Sequence, residues 1–69
     1  MGIYELRAEY TAPGGRTVRQ WHMIRDDAST ALCGAELEPA ADKLPDDEWG
    51  QTPEKCCHLC GALYLRQVP

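Results

Sequence analysis

The cysteine and histidine side chains of this sequence, six in all, are candidate ligands of a metal ion. They are His22, Cys33, Cys56, Cys57, His58 and Cys60. Cys57 and Cys60 form a Cys-x-x-Cys motif, which is common in zinc sites and also occurs in thiol redox proteins. A zinc site needs two further ligands, and the candidates elsewhere in the sequence are His22 and Cys33.

A β-hairpin would bring His22 and Cys33 together. Residues 17–24 are rich in β-branched and aromatic side chains, and residues 29–33 are predicted as a short strand that follows a tight turn. With Asp27 and Ala28 as the two-residue loop, His22 lies opposite Cys33. Directly opposed residues have Cβ atoms about 4.5–5.5 Å apart, which suits two ligands of one tetrahedral zinc ion.

A helix start would supply the other two ligands. Thr52 is a suitable N-cap and Pro53 fits the first helical position, so a helix is predicted near residues 53–67. Cys57 and Cys60 are three positions apart and therefore share one face of that helix. Two ligands from a hairpin and two from a helix start are the arrangement of treble-clef and related zinc fingers.

The predicted zinc site is closed. Its ligands are His22, Cys33, Cys57 and Cys60. Four protein ligands leave no open coordination position, so one structural zinc ion per chain is expected, and no catalytic metal.

The neighbouring cysteine leaves an alternative open. Cys56 and Cys60 are four positions apart and are also neighbours on a helix, but Cys-x-x-Cys is the commoner zinc spacing and favours Cys57. His58 is an alternative to His22, although it points about 100° away from Cys57 on a helix. Two disulfides are disfavoured because Cys56 and Cys57 are adjacent and no secretion signal is evident.

Length and composition favour a metal-stabilised fold. The chain has 69 residues, 43% of them hydrophobic, and no Phe. Chains this short usually need a metal, disulfides or a partner to complete their core, so we predict a single zinc-binding domain over residues 1–69. No apolar run approaches the roughly 20 residues of a membrane span, and the charged N-terminus does not resemble a signal peptide. A cytoplasmic protein with reduced thiols is therefore expected.

The remaining segments complete an α+β prediction. Residues 3–10 partly alternate apolar and polar side chains, which predicts a strand that pairs with the next one across a turn at residues 11–16. Residues 35–51 are acidic and rich in proline, so we predict an irregular excursion with a single helical turn at residues 40–44, anchored by Leu44 and Trp49. The predicted fold is a two- to three-stranded antiparallel sheet with strands near 3–10, 17–24 and 29–33, packed on a helix near 53–67.

Charge is unevenly distributed and bears on function. The net charge is −4, with +2 over residues 1–25 and −8 over residues 26–54. An acidic total argues against sequence-independent binding to nucleic acid, which depends on neutralising phosphates. A closed metal site and a short chain favour a non-enzymatic interaction or regulatory module that binds a protein partner.

Two other functions are compatible with the sequence. A nucleic-acid-binding zinc finger would use the arginines of the hairpin, with Trp21 as a stacking residue. These arginines are Arg7, Arg16, Arg19 and Arg25. A redox or zinc sensor would use Cys56, whose thiol is placed to form a disulfide as zinc leaves.

The motifs also resemble a known group of proteins. The segments Trp21-His22, Thr30-Ala31-Leu32-Cys33-Gly34-x-x-Leu37 and Cys57-His58-x-Cys60-Gly61-Ala62-Leu63-Tyr64-Leu65-Arg66 are similar to small zinc-binding proteins of streptomycetes and related actinobacteria. This resemblance implies a His-Cys-Cys-Cys zinc site on His22, Cys33, Cys57 and Cys60. It carries little functional information, and Cys56 does not belong to the shared motif.

Overall fold

Three antiparallel strands and one C-terminal helix make up the fold. The computed structural model describes residues 3–12 and 14–67; Pro13, within the predicted turn, lies outside them. The elements in chain order are β1 (Tyr4–Tyr10), β2 (Val18–Arg25), β3 (Lys43–Pro45), a 3-10 turn at Asp46–Glu48 and α1 (His58–Gln67). The sheet has the order β2-β1-β3, and the predicted fold class is confirmed.

The first two strands carry much of the core. The predicted alternation of β1 supplies Leu6 and Ala8, and β2 is buried over residues 21–24. Leu6 lies opposite Met23, and Ala8 lies opposite Trp21; all four side chains are buried. The register shifts after Glu9, so that the next β1 residue pairs with Val18. Both strands agree with the sequence prediction to within one residue at each end.

The third strand is not where the sequence placed it. Residues 29–33 form only an isolated bridge, between Thr30 and Glu36, and the sheet is completed instead by β3, whose Leu44 lies opposite Leu6. The prediction that residues 17–24 and 29–33 pair as a β-hairpin is therefore wrong.

The turn after β2 explains this difference. Asp26 and Asp27 both have positive φ, 55° and 62°, and the N–H of Ala28 donates to the carbonyl of Arg25. Two central residues with positive φ are the pattern of a type I′ turn, here one position earlier than the predicted Asp27-Ala28 loop. A ladder continued from this turn would place Ala31, and not Cys33, opposite His22, so the predicted register is not available.

Helix α1 begins five residues later than predicted. The N–H of Trp21 donates to the carbonyl of Lys55, and the N–H of Cys57 donates to the carbonyl of Trp21, at 2.9 and 2.7 Å. Residues 55–57 therefore run extended and parallel to β2, and the chain turns helical only at His58. The predicted N-cap, Thr52, instead donates its hydroxyl to the carbonyl of Glu54.

The excursion before the helix is anchored by Leu44 and Trp49, as predicted. Leu44 pairs within β3, and the Trp49 ring packs so closely on the helix that a Cβ at Gly61 would lie 3.3 Å from its Cζ2. The single helical turn lies at Asp46–Glu48, not at residues 40–44. Leu59, in the first turn of the helix, is exposed.

Arg7 is buried inside this framework, contrary to its expected place on the surface. Its side chain is 3% exposed, and its guanidinium donates to the backbone carbonyls of Glu38 and Pro39 and to the Asp27 carboxylate. Lys43 contacts the same carboxylate, which lowers the pKa of Asp27. Arg7 therefore ties β1 to both the turn after β2 and the acidic excursion.

Replacement of this buried arginine is expected to be costly. Arg7→Ala leaves two carbonyls without their charged donor and leaves the Asp27 carboxylate with Lys43 alone, so we expect a loss on the order of 3 kcal/mol in the free energy of unfolding. Urea denaturation of the metal-loaded protein measures it. The control is Arg16→Ala, because Arg16 is exposed, and we expect it to change stability by less than about 0.5 kcal/mol. Equal stability of the two variants would contradict the assigned role of Arg7.

Candidate metal centre

The structure brings together the four side chains that the sequence singled out. One ring nitrogen of His22 and the sulfurs of Cys33, Cys57 and Cys60 all lie within 4.8 Å of one another. The His22 side chain is 2% exposed and that of Cys60 is fully buried. Residues from three separate parts of the chain therefore converge on one small, mostly buried volume.

Three of the distances between these atoms are close to the edges of a tetrahedral zinc site. His22 Nδ1 lies 3.5 Å from the sulfur of Cys33 and 3.5 Å from that of Cys60, and the sulfurs of Cys33 and Cys57 are 4.0 Å apart. With Zn–N of about 2.0–2.1 Å and Zn–S of about 2.3 Å, tetrahedral geometry gives N···S edges of about 3.5 Å and S···S edges of about 3.8 Å. The donor set and its spacing thus fit one such ion.

A tight turn beside β2 positions Cys33. The N–H of Gly34 donates to the carbonyl of Ala31, and Gly34 has φ of 94°, in the left-handed region that favours glycine. The N–H of Leu32 donates to the carbonyl of Met23, which holds this turn against the strand next to His22. Cys33 therefore lies next to His22 because of this turn and the hydrogen bond from Leu32 to Met23, and not because of the predicted strand pairing.

The start of α1 positions the other two sulfurs. Cys57 directly precedes the helix, and its sulfur lies 3.5 Å from the backbone nitrogen of Cys60, where an N-cap side chain accepts a hydrogen bond. The N–H of Gly61 donates to the carbonyl of Cys57. The helix N-terminus carries partial positive charge, so it is a suitable place for negatively charged ligand atoms.

Cys56 lies outside the cluster. Because residues 55–57 are extended, side chains of Cys56 and Cys57 point to opposite sides of the backbone. The Cys56 sulfur lies 4.0 Å from the hydroxyl of Thr52, and the side chain lines an open, mainly apolar groove of about 450 Å³ beside Trp49. His58 also borders this groove and is exposed, as expected for a side chain outside the site.

Metal binding at this cluster is expected to depend on pH. Burial raises the pKa of the Cys60 thiol to about 12, so without a nearby positive charge this group holds its proton at neutral pH. A divalent cation stabilises the thiolate and removes that proton. A metal bound here therefore competes with protons, and its affinity falls as the pH falls.

Glu9 is a site residue that sequence reasoning missed. Its Oε1 lies 2.5 Å from His22 Nε2, the ring nitrogen that faces away from the cysteines, and it accepts a second hydrogen bond from Gln20 Nε2 at 2.9 Å. The hydrogen bond from His22 is the main reason that the pKa of Glu9 is lowered. The alternation of β1 placed Glu9 on a polar face, but only the register with β2 puts it diagonal to His22.

Comparisons with known proteins identify no relative, so any functional conclusion rests on the geometry of this site. No protein-family model, curated protein or solved structure matches the chain. Within residues 3–12 and 14–67, none of the helices is long and apolar enough to cross a membrane.

Proposed function

We propose that this chain is a small, non-enzymatic, cytoplasmic interaction module whose fold is stabilised by one structural zinc ion. The observation that carries this proposal is the convergence of one imidazole and three thiols, all within 4.8 Å of one another. Cys₃His is a common ligand set of structural zinc sites. In this proposal His22, Cys33, Cys57 and Cys60 are the ligands, and Cys56 is not.

A structural role follows from the number and position of the donors. Four protein ligands complete a tetrahedral shell, so no position remains for a substrate or an activated water. The proposed ion would join β2, the turn at Cys33 and the start of α1. It would supply the cross-link that a small core needs, since residues 3–12 and 14–67 contribute ten buried apolar side chains.

A protein is the proposed partner. Leu65 and Leu59 of α1 are 74% and 54% exposed, and exposed large apolar side chains are typical of surfaces that contact proteins. The acidic excursion exposes several carboxylates, including those of Glu38, Asp42 and Asp47. Their charge suits a partner with a basic surface.

The alternative of nucleic-acid binding finds less support in the placement of the arginines. Arg7 is buried, Arg19 lies 3.6 Å from Glu9, and Arg25 lies 3.6 Å from Asp26. Phosphate contacts need exposed cations that share one face and are not already paired with carboxylates. We therefore retain the protein partner as the proposal.

Native mass spectrometry tests the proposed metal content. Protein reconstituted with excess zinc and then desalted is expected to retain one zinc ion per chain, and Cys33→Ser is expected to retain less. Cys56→Ser is the matched control and should keep the full zinc ion. A native protein that retains no zinc, or a Cys33→Ser variant that binds it as well as the native chain, would contradict the proposal.

A further inference from the structure

We propose that Glu9 is the positioning residue of the metal site: it holds the proton of His22 on Nε2 and so presents Nδ1 to the metal. This inference rests on the proposed zinc site and adds a residue that neither motif spacing nor the resemblance indicated. Metal-binding histidines commonly donate their second ring N–H to a carboxylate, which fixes the tautomer and ring orientation.

The contacts of His22 determine where its proton lies. A carboxylate oxygen only accepts, so the 2.5 Å approach of Glu9 Oε1 to His22 Nε2 requires a proton on that nitrogen. In the other tautomer, two lone pairs would face each other at this distance. Gln20 Nε2 lies farther from the same ring nitrogen, at 3.3 Å, and donates to Glu9 at 2.9 Å, so the shorter contact with the carboxylate decides where the proton lies. The neutral ring therefore has its lone pair on Nδ1, facing Cys33 and Cys60.

The register of β1 with β2, and a shift in that register after Glu9, place Glu9 beside His22. Glu9 lies opposite Gln20, which makes His22 its diagonal neighbour on the same face, at a separation that a long side chain can bridge. The register shift directly after Glu9 skips Arg19 on β2, and bulges of this kind turn side chains away from their regular direction. Arg19 then lies 3.6 Å from the second Glu9 oxygen.

Glu5 offers a matched control on the same strand. It lies opposite Ile24, two residues from His22, and is the other diagonal neighbour of His22. Glu5→Ala and Glu9→Ala thus remove the same side chain from equivalent register positions on the two sides of the histidine. The Glu9→Gln variant removes the charge but keeps an oxygen that can accept the Nε2 proton.

The experiment compares these variants with the native chain in their zinc-loaded state. Competition with a chromogenic chelator measures zinc affinity, and ¹⁵N-detected NMR of the imidazole reports which ring nitrogen is protonated and how fast its proton exchanges. For Glu9→Ala we expect affinity to fall about 10–100-fold and the slowly exchanging Nε2 proton signal to disappear. Glu9→Gln should retain the Nε2 proton signal and lose less affinity, and Glu5→Ala should match the native chain.

Two results would overturn the proposal for Glu9 without touching the zinc site. One is a native protein that binds zinc through Nε2, and the other is a Glu9→Ala variant with the affinity and Nε2 proton exchange of Glu5→Ala. A Glu9→Ala variant that loses stability but keeps both readouts would show a merely structural role and would also overturn it. Absence of zinc binding by the native chain would instead overturn the proposed function, and the role of Glu9 with it.

Discussion

Removal of the metal is expected to unfold the chain. Structural zinc contributes about 10–16 kcal/mol in zinc-finger peptides, whereas the whole stability of an ordinary domain is about 5–15 kcal/mol. The described core contains only ten buried apolar residues, two of which are the proposed ligands Cys57 and Cys60. Without the ion, backbone hydrogen bonds still hold the turn at Cys33 and the start of α1 to β2, but the cross-link that joins all three segments is lost.

Amide NMR spectra with and without a chelator measure this effect. Excess EDTA at neutral pH, with a reductant present, should collapse the dispersed amide signals, and an excess of zinc should restore them. EDTA already saturated with zinc is the control and should leave the spectrum unchanged. A chain that keeps its full native spectrum after verified removal of the metal would show that the zinc is dispensable for the fold.

The adjacent cysteines are expected to differ sharply. Cys57→Ser removes one thiolate from the proposed site, yet serine is a good N-cap, so the start of α1 keeps its capping interaction. We expect zinc affinity to fall by more than about 100-fold, since loss of an outer hydrogen-bond partner alone costs about 10–100-fold. Cys56→Ser should leave affinity unchanged and alter the free energy of unfolding by about 1 kcal/mol or less.

Chelator competition and thermal unfolding of both variants, each reconstituted with zinc, provide the comparison. The reverse order of affinities would move the site to Cys56. Equal and severe losses in both variants would mean that the two thiols exchange as ligands, which the extended backbone of residues 55–57 and its opposed side chains do not support.

The four clustered residues were predictable because cysteine and histidine are rare and chemically specific. The Cys-x-x-Cys motif identified one pair, and His22 and Cys33 were the donors that could complete it. The sequence predicted that a strand at residues 29–33 places Cys33 beside His22, but these residues do not form a strand. Asp26 tolerates positive φ, so the turn closes one residue early, and a tight turn with a hydrogen bond to Met23 makes the approach instead.

The elements that were misplaced depend on contacts between distant parts of the chain. Strand β3 is three residues long and ends in Pro45, a residue confined to sheet edges, so no local pattern marked it. The signals at Thr52 and Pro53 did favour a helix start, but hydrogen bonds between Trp21 and residues 55–57 keep that segment extended. Tertiary contacts commonly override local propensity in this way.

The positions of the Arg7 and Glu9 side chains also depend on contacts between distant parts of the chain. Both occupy the polar positions of an alternating strand, which sequence reasoning assigns to solvent. The acidic excursion covers Arg7 with its backbone carbonyls, and the β1–β2 register places Glu9 beside His22. Neither outcome is encoded in the local sequence, because each requires knowing which segment packs on that face.

Cadmium substitution read by NMR tests the central claim most directly, because scalar coupling to ¹¹³Cd passes only through direct metal–ligand bonds. The protein reconstituted with one equivalent of ¹¹³Cd should give a single cadmium resonance. Coupling is expected to the β-protons of Cys33, Cys57 and Cys60 and to ring protons of His22. Coupling to Cys56 or His58, or the lack of coupling to any one of the four expected residues, would contradict the proposed site.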